Sequence, residues 1–256
     1  MGPDVSVVRH AIADGIGHIT LNRPDHMNAV TTELAGQLDH ALNTLSGNPS
    51  VNVIVIRGSG GNFCAGGDIA EVERLTNEGP ERLRTLFDAF RRACDAISAA
   101  DVPVVAAVEG VAMAGGFELM QAADIVIVRD DAKIADNHIN FAMIPGGGGT
   151  QRLTRVVGHQ VALGLLLSGD RLSGSDAVRL GLAYRSFAPN EFDEGVSHFV
   201  ARLAGRDRMA MTTIKKLVRD PRARSLSQGL DDEINAVVGH ITRQGVGEFS
   251  RIGRSS

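Results

Sequence analysis

Two apolar, β-branched runs, Val51-Asn-Val-Ile-Val-Ile-Arg57 and Val102-Pro-Val-Val-Ala-Ala-Val108, each lead straight into a glycine-rich turn and then a helical pattern. Runs this short and this apolar read as buried strands. Gly15 to Leu21 and Asp124 to Val128 read as two more. Between them lie helical stripes: Leu34, Leu38, Leu42 and Leu45, with Thr31 or Thr32 as cap, and Leu83, Leu86, Phe87, Phe90, Cys94 and Ile97. Strands separated by helices imply parallel pairing through crossover connections, an α/β fold. From about Phe192 the strand signal stops, and Leu226, Leu230, Ile234, Val237 and Ile241 mark a long amphipathic helix. The expected division is an α/β core over residues 1–191 and a helical C-terminal region over 192–256. An apolar face on that region would be covered at an oligomer interface.

Composition narrows the function classes. A formal charge of −4 argues against nucleic acid as the main partner, because neutralising phosphates needs a basic face. Two cysteines, Cys64 and Cys94, provide neither a disulfide framework nor metal-ligand spacing, so no metal is expected. No apolar run reaches membrane-spanning length and no basic leader opens the chain. The expectation is a cytoplasmic protein without a membrane partner.

Three segments could carry chemistry. In Gly58-Ser-Gly-Gly-Asn-Phe-Cys-Ala-Gly-Gly-Asp68, glycine lets the backbone turn sharply and leaves amide N–H groups uncovered, with a helix starting near Asp68. An ordinary β–α turn accounts for the pattern equally well. It is neither a P-loop nor a dinucleotide fingerprint. In Glu109-Gly-Val-Ala-Met-Ala-Gly-Gly-Phe-Glu118, a second glycine turn opens a helix with a carboxylate in its first turn. Glu118 is either a dipole partner or, in the apolar context FELMQAADIVIV, a buried group with a raised pKa suited to proton transfer. In Asp136-Asn-His138 through Pro145-Gly-Gly-Gly-Gly149 to Arg152, the four glycines make a loop that is mobile or closely approached. His138 there is a hydrogen-bonded wall residue or an acid/base. The order matters: two strand–glycine–helix turns can aim two N–H groups at one carbonyl oxygen, with Glu118 beside it.

These residues together resemble the crotonase (enoyl-CoA hydratase/isomerase) superfamily. Leu21-Asn-Arg-Pro-Asp-His-Met-Asn-Ala29 is similar to its opening segment on the adenosine side of the coenzyme A site. Phe63-Cys-Ala-Gly-Gly-Asp-Ile69, Gly110 to Leu119, and Ile144 to Leu153 resemble three further segments in the expected order. The resemblance implies a spiral of β-β-α units with a C-terminal helical trimerisation region, as a homotrimer or dimer of trimers. It places the oxyanion-hole N–H groups on Gly67 and Gly115 and the first catalytic carboxylate on Glu118. It lays Met27, Ala29, Ala65, Gly67, Asp68, Ile69 and Ala70 along the acyl-CoA, and puts Arg254 near the coenzyme phosphates. Coenzyme A enters as part of the substrate, and no separate cofactor is implied.

Two departures stand out. Counting back from Pro145, the second hydratase glutamate falls on His138, and Asp25 stands where relatives often carry a basic residue. The leading expectation is hydration of a 2-enoyl-CoA by a Glu118–His138 pair. The alternatives are hydrolysis of an acyl-CoA thioester or of a β-dicarbonyl C–C bond, enoyl-CoA double-bond isomerisation, and a degenerate coenzyme-A-binding scaffold.

Overall fold

The computed structural model describes residues 6–219 and 225–244. The chain divides into two compact units, Met1–Gly205 and Arg206–Ser256.

The first unit is built on a six-stranded sheet. Strands β1 (Val8–Ala13) and β2 (Ile16–Leu21) form an antiparallel hairpin. Helix α1 (Thr32–Ser46) follows, capped by the Thr31 side chain, which accepts from Leu34 N–H. Next come β3 (Val53–Gly58), α2 (Ile69–Glu78), α3 (Pro80–Ala99) and β4 (Val104–Val108). A three-residue strand β5 (Val111–Met113) leads into α4 (Gly115–Ala122). The pattern recurs in β6 (Ile125–Arg129) and β7 (Lys133–Ala135), the latter followed by a 3-10 turn at His138–Phe141. Helices α5 (Gly149–Val157), α6 (His159–Ser168) and α7 (Gly174–Arg179), strand β8 (Arg185–Phe187) and α8 (Phe192–Ala204) complete the unit.

The large sheet runs β1-β2-β3-β4-β6-β8, and every pair beyond the first is parallel. A second small sheet pairs β5 with β7, and single bridges extend it to Cys64 on one side and Leu172 on the other. Each turn of the chain therefore visits the large sheet, then the small one, then a helix: a spiral of β-β-α units.

Burial on both faces explains the uninterrupted apolar strands. On one face Ile54, Ile56, Val104, Ala106 and Val108 pack with α1, α3 and α4. On the other, Val53, Val55, Val105, Ala107 and Ile127 pack against Phe192, Val196, Phe199 and Val200 of α8. The end of the strand signal near Phe192 is therefore not where the first unit ends. Helix α8 is part of it, and the boundary of the compact units falls between Gly205 and Arg206. The second unit carries α9 (Arg208–Arg219) and α10 (Leu226–Gln244). In α10 the expected stripe of Leu226, Leu230, Ile234, Val237 and Ile241 lies exposed.

Candidate active site

The site begins at the loop after β3. Asn28, fully buried at φ 57°, locks that loop: its Nδ2 donates to the carbonyls of Ser59 and Asn62, and its Oδ1 accepts from Arg23 N–H. Val30 then pairs with Gly67 in a single parallel bridge, Val30 N–H donating to Gly66 and Asp68 N–H to Val30. In such a bridge the flanking groups make the bonds, and the central residue's own N–H turns the other way. Gly67 N–H accordingly has no acceptor among the described residues. Asp68 caps α2 by accepting from Glu71 N–H and pairs with Arg23 at 2.8 Å. Burial pushes its carboxyl up, but the Arg23 guanidinium and the Glu71 N–H outweigh this and hold it below the ordinary range.

The second turn abuts the first. Ala114 adopts φ 47°, ψ −116°, a costly conformation for a residue with a side chain. It is held there by donating to the Ala135 carbonyl at 3.0 Å, while Met113 N–H donates to Cys64. A methyl group on Gly116 would overlap the Cys64 carbonyl, so only glycine lets the turns approach this closely. At Gly67 and Gly115, by contrast, a β-carbon would meet nothing nearer than 3.9 Å and 3.5 Å. Protein packing does not demand glycine there; both residues line a cavity instead. A β-carbon on Gly115 would stand 3.6 Å from Gly67 N, so the two free amides are neighbours. Gly115 opens α4, where a backbone N–H has no partner within the helix.

Glu118 sits one turn into α4 with 1 % of its surface exposed. Its Oε1 accepts from Gly147 N–H and Gly149 N–H, both at 2.7 Å. Its Oε2 lies 3.9 Å from His138 Nε2. On the far side of the ring, His138 Nδ1 is 2.6 Å from Oδ1 of Asp136, itself 1 % exposed. Burial raises the Glu118 pKa; the Gly149 N–H, His138 and the Gly147 N–H oppose the shift without cancelling it. For His138, burial favours the neutral ring, but the hydrogen bond and charge of Asp136 and the charge of Glu118 prevail and raise its pKa.

These groups share a cavity of about 330 Å³. Apart from Glu118, Asn137, His138 and the glycine backbone, its walls are apolar: Val30, Ala65, Ile69, Val72, Leu86, Phe87, Phe90, Ala114, Phe141 and Met143.

Of the residues singled out in the sequence, the fold brings Gly67, Gly115, Glu118, His138, Ala65 and Ile69 onto this cavity. Met27, Ala29, Asp68 and Ala70 neighbour it in the chain without lining it; Met27 is half exposed, and its carbonyl accepts from Ala65 N–H. Arg254 lies outside the described residues. Asp25 is exposed. The glycine run is closely approached: a β-carbon on Gly147 would stand 2.7 Å from Phe90 Cδ1 and 2.9 Å from Glu118 Oε2. Sequence reading missed Asp136 and the role of Gly147 and Gly149 in holding Glu118. It also read Leu86, Phe87 and Phe90 only as a core stripe. Among the described residues, no cluster of three or more His, Cys, Asp or Glu could hold a metal, and no helix is long and apolar enough to cross a membrane.

The spiral and its cavity define a crotonase-type fold. The family model for enoyl-CoA hydratase/isomerase matches residues 11–248, and the chain belongs to this family. It is 31 % identical over 237 residues to a peroxisomal Delta(3,5)-Delta(2,4)-dienoyl-CoA isomerase of Arabidopsis thaliana, covering 89 % of this chain and 85 % of that protein. It is 33 % identical over 214 residues to a mitochondrial enoyl-CoA hydratase of Pongo abelii, covering 84 % and 72 %. An enoyl-CoA hydratase crystal structure from Polaromonas sp. JS666 superimposes with a TM-score of 0.90 at 28 % identity, covering 96 % of this chain and 97 % of that one.

Proposed function

We propose that this enzyme processes acyl-CoA thioesters, and that its reaction is the hydration of a 2-enoyl-CoA. Family membership and relatives named as hydratase and isomerase support the acyl-CoA class. One observation carries hydration: two backbone N–H groups without an acceptor among the described residues line the same cavity as an acid/base pair 3.9 Å apart. A water at ordinary hydrogen-bond distance, about 2.8 Å, from both Glu118 Oε2 and His138 Nε2 fits that gap at an angle of about 90°.

In this reading Gly67 and Gly115 N–H bind the thioester oxygen. Glu118 takes a proton from water as its oxygen bonds to Cβ, and electron density moves from the double bond onto the thioester oxygen as an enolate. Protonated His138 delivers a proton to Cα, and Glu118 returns its proton to His138. The net change is H and OH added across the double bond. Each oxyanion donor is worth about 3–4 kcal/mol in the transition state. Coenzyme A is part of the substrate, with Met27, Ala29, Asp68, Ala70 and Arg254 assigned to its side of the site. The assembly we assign is a trimer or dimer of trimers.

Thioester hydrolysis is the second reading, favoured by the 2.6 Å Asp136–His138 contact, an arrangement that suits water attack on a carbonyl. Incubation with crotonyl-CoA separates the two. Loss of the conjugated enoyl-thioester absorbance without free thiol supports hydration. Thiol release supports hydrolysis, and neither signal across several 2-enoyl chain lengths overturns hydration.

A further inference from the structure

Asp136 is a carboxylate whose surroundings do not explain it as a structural group. It is almost fully buried, yet Oδ1 has only the His138 ring as a partner and Oδ2 has none among the described residues. Burying a carboxylate is costly, and structural ones are offset by backbone N–H groups, caps or arginines. Asp68 and Asp176 in this chain show that arrangement, each capping a helix or joining a capping box. Asp136 shows none of it.

Its backbone is tied to the amide turn instead. Asp136 directly follows β7, which is registered on β5 with Ala135 opposite Met113, and the Ala135 carbonyl accepts from Ala114 N–H, one residue before Gly115. The same strand end thus sets both the Gly115 turn and the Asp136 carboxylate.

We propose that Asp136 is a positioning residue for this site, holding His138 by Nδ1 so that Nε2 faces Glu118 and the cavity. In this assignment Nδ1 donates and the carboxylate oxygen accepts. Nε2 is then left to exchange a proton with substrate, water or Glu118. Asp136 itself does not line the cavity and acts only through the ring. The charges acting on His138 are Asp136 at the end of β7 and Glu118 on α4. Helix α6, also packed on this segment, carries no carboxylate, lysine or arginine, and its one titratable side chain is His159. The inference rests on the acid/base role given to His138 above.

The test reads the imidazole directly. Nitrogen-15 shifts of His138, assigned by their loss in His138→Gln, are followed against pH in the wild type and in Asp136→Asn. In parallel, the pH profile of kcat and the KM for crotonyl-CoA are measured. The expected wild-type neutral ring carries its proton on Nδ1. Asp136→Asn lowers the His138 midpoint by at least about one pH unit, and the alkaline limb of kcat moves down with it while KM changes less than threefold. A wild-type proton on Nε2, an unmoved midpoint, or a midpoint that moves without the kcat limb overturns the proposal. The tautomer needs no variant, so a misfolded Asp136→Asn still leaves it decided. A wild type that hydrates nothing sinks the hydration reading, and the nitrogen shifts alone then decide whether Asp136 holds the ring.

Discussion

Oε1 of Glu118 accepts the Gly149 N–H at 2.7 Å, which leaves Oε2 turned to the cavity and His138. With the shared Gly147 N–H, this fixes the carboxylate plane from a loop on another element. Glu118→Gln can keep both backbone bonds through its amide oxygen and present its NH₂ where Oε2 stood. The variant is expected to fold and to bind 3-hydroxyacyl-CoA product within a few-fold of wild type. Its kcat is expected to fall by about 10²–10⁴, the range for losing a general base. Stopped absorbance assays with calorimetric product binding check both halves. Unchanged turnover removes Glu118 from the chemistry.

The raised pKa values of Glu118 and His138 define a pH window. Glu118 acts as a base only when ionised, so activity rises through a limb above the ordinary carboxylate value of 4.5. His138 acts as an acid only when protonated, so activity falls through a limb above the ordinary histidine value of 6.5. Both limbs belong to the coupled pair rather than to one residue each. For stability the sign is the same for both groups. The folded form binds the proton more tightly, so their contribution is full below the ordinary values and is lost as pH rises through the raised ones. Urea titrations are expected to show stability declining over that interval, with a shallower slope in Glu118→Gln.

His138→Glu tests why the second carboxylate is absent here. It places a second carboxylate against Asp136, and two like charges in this buried pocket cannot both ionise. The single variant is expected to lose roughly 3–5 kcal/mol of stability. Adding Asp136→Asn removes the repulsion, so the double variant is expected to be more stable and more active than His138→Glu alone. A double-mutant cycle of melting and turnover checks the sign; additive effects argue against direct coupling.

Much of this arrangement could be read from residue order, because long buried strands and capped helices leave strong local signals. Val51 to Arg57 and the Leu34–Leu45 stripe became β3 and α1 within two residues. Strand β1 escaped because its side chains are exposed after Val8 and show no alternation. Strands β5 and β7 are three residues each, too short for any period to register. Glu118 was visible as a carboxylate in an apolar stretch. Asp136 was not, although it stands two residues before His138, since sequence spacing does not say which side chain turns inward from an irregular segment. Gly147 and Gly149 were visible only as glycines; the carboxylate they hold lies twenty-nine and thirty-one residues away in the chain.

The glycines of the two turns are expected to divide into two kinds. At Gly116 a methyl group collides with the Cys64 carbonyl, where neither backbone can yield without breaking the small sheet. Gly116→Ala is expected to cost about 3 kcal/mol or more, as overpacking against backbone does. At Gly67 φ lies outside the left-handed region and a β-carbon meets only Val72 Cγ2 at 3.9 Å, so Gly67→Ala is expected to melt within a degree or two of wild type. Gly67 lines the cavity, so the added methyl group takes up space there, and the expected cost falls on the thioester: at least a tenfold loss in kcat/KM. Melting curves and initial rates on the two variants check this. A Gly67→Ala protein that melts normally and turns over normally shows that the thioester leaves room for the methyl group, the N–H itself being retained in the variant.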